Sequence, residues 1–233
     1  VNALAAEVVE DFAAFGVRAF TTGRDAGSFS TAGLEPVRDV MARWDALREM
    51  LRPGGPRLAT AKQVHGTRVI FHAANWEGWL RGDEADGHAS ADRGTAMAVS
   101  IADCVPVFVA HPSGAAALLH SGWRGTAGRI VERGIALLAD RRVPAAELRV
   151  HLGPSICGRC YEVSPEVHEQ LTGSRPSRAR PVDLRAIIAE HARGAGVRKI
   201  TVSDACTRCH NDRFYSHRAG DGGRQLGVLI ADR

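Results

Sequence analysis

The chain has 233 residues, 45% of them hydrophobic and 24% charged, which accommodates one substantial core and excludes a disordered tail, a collagen-like chain or a dedicated coiled coil. Lys and Arg number 30 against 26 Asp and Glu, a net charge of +4. The arginines are scattered among acids and form no stripe, so no nucleic-acid partner is expected, while an anionic small substrate is compatible.

No apolar run approaches the ~20 residues of a membrane span, so no membrane partner is expected. The opening segment carries Glu7, Glu10 and Asp11 without a basic start and does not read as a secretory signal. Five cysteines, an odd number, point to a reducing cytoplasm with thiols free, catalytic or metal-bound.

In chain order, helical spacing runs over 3–15 and stops at Gly16; this helix is expected to be peripheral. A short strand over 17–22 leads into a Gly-, Ser- and Asp-rich loop to Gly33. An amphipathic helix covers 35–51, with Pro36 in its first turn and Pro53-Gly54-Gly55-Pro56 after it. Strand-like runs follow at 58–64 and 68–73, hinged at His65-Gly66. The polar stretch 74–94 reads as loop. Three strand candidates come next, at 96–102, 105–110 and 115–120, the last two separated by the hairpin signal His111-Pro112-Ser113-Gly114.

One helix is predicted over 125–139, then a strand over 148–152, helices over 165–171 and 182–193, and closing strands over 197–202 and 226–230. Adjacent strands mixed irregularly with helices predict a single α+β domain over 1–233 rather than a regular βαβ repeat.

Three segments end an apolar run in a reactive side chain followed by a turn: Gln63-Val64-His65-Gly66, Ala102-Asp103-Cys104-Val105-Pro106 and His120-Ser121-Gly122-Trp123-Arg124-Gly125. Strand ends are rigid and their loops are open, so such side chains can converge on a cleft. One Cys and two His form a valid zinc donor set that also admits copper. Spacing alone favours strand-capping histidines and a small core thiol.

After His120, the glycine turn into a helix, with Arg124 in it, suits an anion cradle or simply a tight turn. Cys157-Gly-Arg-Cys160 and Cys206-Thr-Arg-Cys209 are two Cys-x-x-Cys units 45 residues apart, a wider gap than the ~15–20 of common zinc sites. Buried thiols, an oxidisable pair and a second metal site all fit them. Arg218 ends the aromatic run Phe214-Tyr215-Ser216-His217-Arg218 and suits phosphate or carboxylate.

These three segments, with Gly153-Pro154-Ser155-Ile156, Cys160-Tyr161-Glu162-Val163, and Cys206-Thr207 followed by the Phe214–Arg218 run, occur in the order found in the laccase-domain family, which the chain resembles from about Phe20 onward. That family has been called polyphenol oxidase, multicopper-oxidase-like and zinc-dependent purine nucleoside phosphorylase. The resemblance implies a layered α/β/β/α sandwich with mixed sheets and a metal triad of His65, Cys104 and His120. It also implies phosphorolysis of adenosine, inosine, guanosine and methylthioadenosine, with some adenosine deamination.

On that reading zinc is the cofactor, and a nucleoside and phosphate are the partners of a monomer or homodimer. Arg124 and Arg218 bind phosphate, while Gln63 and Asp103 orient ligands or bond the nucleoside. Segment 22–28 departs from the family pattern, with Arg24 one position displaced from the expected Arg. Competing readings are a copper phenol oxidase, disfavoured because no His-x-His pair occurs, a zinc amidase editing cell-wall precursors, and a metal-stabilised binding protein.

Overall fold

The computed structural model describes residues 4–233. Two six-stranded mixed sheets pack face to face, with helices on both outer faces, and so form the layered α/β/β/α sandwich. The first sheet contains β1 (Ala5–Val8), β2 (Val17–Thr22), β3 (Arg57–Ala61), β5 (Gly78–Gly82), β7 (Thr95–Ile101) and β14 (Gln225–Ala231), in the order β1-β2-β14-β7-β3-β5. The second contains β4 (Val69–Phe71), β6 (Gly87–Ser90), β8 (Val105–Ala110), β9 (Ala116–Ser121), β10 (Arg149–Leu152) and β13 (Lys199–Val202), in the order β13-β10-β8-β9-β6-β4. A two-stranded ribbon pairs β11 (Glu162–Val163) with β12 (Arg180–Pro181).

Side chains alternate along each central strand, and the alternation builds the layers. Met97, Val99 and Ile101 of β7 meet Phe108 of β8, Leu118 of β9 and Leu229 of β14 between the sheets. Ala96 and Ala98 face the opposite way, onto Val40, Trp44 and Leu47 of α1 (Val37–Leu51). On the far side, Val107 and Leu119 pack against α3 (Ile130–Ala139) and α5 (Leu184–Gly194). Every residue of β8, β9 and β14 is buried, and β8 is apolar throughout while β9 and β14 are apolar except for His120, Ser121 and Gln225. Ser164 caps α4 (Pro165–Thr172), accepting from the Val167 amide at 3.4 Å.

The predicted helix over 3–15 is not one. Residue 3 lies outside the described residues, Ala5–Val8 forms β1, and Glu10–Phe15 is a 3-10 turn ended by Gly16. Ladder pairing with β2 overrides the helix propensity of an alanine-rich stretch. The stretch 74–94 is not all loop: β5 and β6 lie in it, each short and glycine-containing, and parallel neighbours recruit them. The single helix expected over 125–139 is split into α2 (Trp123–Ala127) and α3, because Arg129 takes a left-handed conformation between them (φ 60°). Among the described residues, no helix is long and apolar enough to cross a membrane.

Candidate metal centre

Three chain reversals converge at one end of the sandwich. His65 lies in the turn after β3, Cys104 in the link that carries the chain from β7 of one sheet to β8 of the other, and His120 near the end of β9. One ligand atom from each lies within 4.8 Å of the others. The two imidazoles stand edge to face, their centroids 4.8 Å apart. His120 is buried, Cys104 is half-buried and His65 is exposed, so the group opens on the His65 side.

The backbone is strained where it delivers these groups. His65 (φ 60°) and Asp103 (φ 82°) both occupy the left-handed region, which disfavours residues with a Cβ. Asp86, fully buried just before β6, holds the first of these turns. Its carboxylate accepts from the amides of Val64 (3.2 Å), His65 (2.9 Å) and Gly66 (2.7 Å), and from Nδ1 of His120 (2.8 Å). A carboxylate can only accept there, so Nδ1 of His120 carries the proton and Nε2 is free to bind a metal. Burial pushes the Asp86 carboxyl up, but His120 and the surrounding amides outweigh it and keep the group ionised below its ordinary value.

Without a metal, Cys104 and His120 polarise each other. Burial opposes ionisation of Cys104, yet the charge and hydrogen bonds of His120, with help from His65, bring its thiol down to about 6. Burial likewise opposes a charged His120, but the Cys104 thiolate and Asp86 raise it to about 9. A thiolate facing an imidazolium is the resting state near neutral pH, and a divalent cation would replace the shared positive charge. The donor set fits such an ion: one soft anionic sulfur, one imidazole fixed by a carboxylate, and a second at the open edge.

Gly122 shows how little space surrounds the group. A Cβ there would stand 2.9 Å from the Cys104 sulfur and 3.3 Å from Cδ2 of His65, although the backbone (φ −81°) would accept alanine. Gly122→Ala should therefore fold with a loss of about 1–3 kcal/mol from overpacking and retain less metal. A thermal melt and metal analysis of the purified variant check this, and undiminished metal content would contradict it. Gly125 permits a comparable approach, since its Cβ would meet the Gly66 carbonyl at 3.2 Å.

The remaining sequence candidates are placed differently. Gln63 donates to the Ser100 carbonyl (2.8 Å) and accepts from the Ser100 amide (2.7 Å), so both ends of its amide tie the segment after β3 to β7. Asp103 accepts from the Thr207 hydroxyl (2.6 Å) and the Arg218 amide (2.7 Å), tying two distant loops to the Cys104 turn. Arg124 is exposed on α2, its guanidinium 4.3 Å from the Trp123 ring centroid. Arg218 is exposed, lies 5.1 Å from the Tyr161 ring centroid and donates to the Glu162 carbonyl. Arg24 pairs with Asp221 (2.7 Å) and donates to the Asn211 carbonyl, which engages its guanidinium within the fold.

Sequence reading missed Asp86 and Tyr161. Burial, and then the negative charges of Cys104 and Asp103, push the Tyr161 hydroxyl up to about 12, against the opposing Arg218 and Arg124. Tyr161 thus shares one electrostatic neighbourhood with the Cys104 sulfur and both arginines. The ordered Cys160-Tyr161-Glu162 motif was the available signal for it. Asp86, an acid before a short polar strand, offered none.

A two-sheet α+β protein with one thiol and two imidazoles gathered at an open strand end is the class that fold and site define. Residues 29–232 match the family described as multi-copper polyphenol oxidoreductase laccase, and the chain belongs to that laccase-domain family. A Deinococcus radiodurans protein named purine nucleoside phosphorylase is 32% identical over 234 positions, covering 91% of this chain and 87% of that one. A protein of an unknown prokaryotic organism, named adenosine deaminase RL5, is 34% identical over 183 residues, 69% of each chain. The crystal structure of YlmD from Geobacillus stearothermophilus superposes with a TM-score of 0.86 at 27% identity, covering 97% of this chain and 94% of that one.

Proposed function

We propose that the chain is a zinc-dependent purine nucleoside phosphorylase acting on adenosine, inosine, guanosine and methylthioadenosine, with adenosine deamination as a side activity. The observation that carries this reading is the gathering of the His65, Cys104 and His120 donor atoms within 4.8 Å, open on one side. The relatives' names support the reaction class, and the mixed sulfur–imidazole donors support zinc. Three protein ligands leave a fourth position for water or substrate.

Phosphorolysis forms a bond from a phosphate oxygen to C1′ of the sugar and breaks the bond from C1′ to the purine, which leaves with the electron pair. The site must therefore hold an anion on one side of the sugar and accept developing negative charge on the other. A bound zinc ion supplies Lewis-acid polarisation. Arg124 and Arg218, both exposed, hold the phosphate as charge-assisted donors. Tyr161 keeps its proton throughout the physiological range and serves as a neutral donor to an anion. Gln63 and Asp103 act indirectly, by fixing the walls from which His65 and Cys104 project.

Incubating the purified protein with adenosine, with and without phosphate, tests the reading. Phosphate-dependent adenine and ribose 1-phosphate are expected, with inosine as a minor product, and no turnover of adenosine under either condition would refute it. In the same assay Arg124→Ala should raise KM for phosphate about 10- to 100-fold, the worth of one charged hydrogen bond, with a smaller effect on KM for nucleoside. An unchanged phosphate requirement would remove Arg124 from the anion site.

A further inference from the structure

The second feature lies outside the nucleoside chemistry. The two Cys-x-x-Cys units meet in space: one sulfur from each of Cys157, Cys160, Cys206 and Cys209 lies within 4.8 Å of the others. We infer that these four cysteines form a second, structural zinc site, closed to substrate, that fastens the wall beside the His65–Cys104–His120 group.

The 45-residue gap, wide for a zinc site judged on spacing, has a topological cause. β10 and β13 are adjacent parallel strands in register from Arg149↔Lys199 to Leu152↔Val202. One crossover through α4 and α5 separates them in sequence, and each is followed within a few residues by its Cys-x-x-Cys unit. The strand direction continues as a parallel bridge between Ser155 and Cys206, and the Thr207 amide donates to the Ser155 carbonyl at 3.1 Å. Parallel neighbours thus deliver both units to the same end of the sheet.

The surroundings suit metal-bound thiolates better than thiols. Two backbone amides, Cys157 at 3.2 Å and Cys209 at 3.4 Å, donate to the buried Cys206 sulfur. A neutral thiol is a weak acceptor, whereas a metal-bound thiolate is stabilised by such donors. Zn–S bonds of about 2.3 Å in a tetrahedron place sulfurs about 3.8 Å apart, and the Cys160 and Cys209 sulfurs already stand 3.5 Å apart. Four thiolates around a divalent ion carry a net charge of −2, and each unit contains an exposed arginine, Arg159 or Arg208. Arg208 reaches across to the Cys160 carbonyl at 3.5 Å.

All four positions are protein sulfur, so the site has no vacancy for substrate. Its consequence is structural. Cys160 precedes Tyr161, and Thr207, between the second pair of cysteines, anchors Asp103 beside Cys104.

Metal analysis of the full chain, purified without chelator, separates this site from the first. Wild type should carry about two zinc ions per chain, Cys104→Ala about one, and the pair Cys160→Ser with Cys209→Ser about one. Should the paired variant not fold, Cys104→Ala alone decides, since its four distant cysteines are untouched. Grown on cobalt, Cys104→Ala should show the thiolate-to-cobalt charge transfer and strong visible bands of a tetrahedral sulfur site. Cys104→Ala free of metal, or with Cys160 and Cys209 found joined as a disulfide by mass spectrometry, would overturn the inference.

Discussion

Asp86→Asn is expected to weaken metal binding at the proposed His65–Cys104–His120 zinc site about 10- to 100-fold and to destabilise the fold by about 3–5 kcal/mol. The side chain is fully buried, and its two oxygens accept four hydrogen bonds, three from amides and one from His120. An amide group of the same size would point an N–H at at least one of those donors, and unsatisfied buried donors are costly. Both histidines would lose definition: His120 its tautomer, and His65 the amide bonds that hold its left-handed turn. Turnover measured against buffered free zinc should shift to higher concentration and largely recover at saturation, while chemical denaturation reports the stability loss. An unshifted zinc dependence in a destabilised protein would reduce Asp86 to a purely structural role.

Cys104→Ala should behave differently, abolishing turnover with no rescue by excess zinc, because on the proposed reading a ligand rather than its support is gone. The wild-type group also carries a specific pH signature. In the metal-free protein the Cys104 thiol titrates at about 6 and His120 at about 9, so between those values the site holds a thiolate and an imidazolium. Binding needs the thiolate and a neutral His120, so loading in that window expels the His120 proton, about one per ion. Affinity should then rise about tenfold per pH unit from about 6 to about 9, level off above that and fall more steeply below. Zinc calorimetry in buffers of different ionisation enthalpy reads the proton count directly. No release near neutrality would show that the thiolate–imidazolium pair does not form.

Where the sequence was readable, the cause was strong local chemistry. β2 and β8 match their predicted limits, 17–22 and 105–110, because each is a run of strand-forming residues bounded by turn formers. The helix ending at Leu51 was equally plain from its apolar stripe and the proline–glycine stop. β1, β5 and β6 were not legible, since alanine and glycine carry little strand preference and these segments are strands only because a neighbour offers a ladder.

The site divides in the same way. The reactive ends of three segments were visible as motifs, and the resemblance of those motifs to the laccase-domain family singled out His65, Cys104 and His120. Gln63, Asp103 and Arg218 were visible too, but the hydrogen bonds that engage Gln63 with Ser100, and Asp103 with Thr207 and Arg218, were not. Local periodicity and turn chemistry therefore determined the core strands, and the resemblance of the ordered motifs supplied the family and the candidate ligands. Packing alone decided that Asp86 unites the His65 and His120 segments, that Tyr161 shares the field of the Cys104 sulfur, and that cysteines 45 residues apart meet. The physical reason is that a hydrogen bond or a coordination group depends on separation in space, and a parallel crossover brings together what the chain keeps apart.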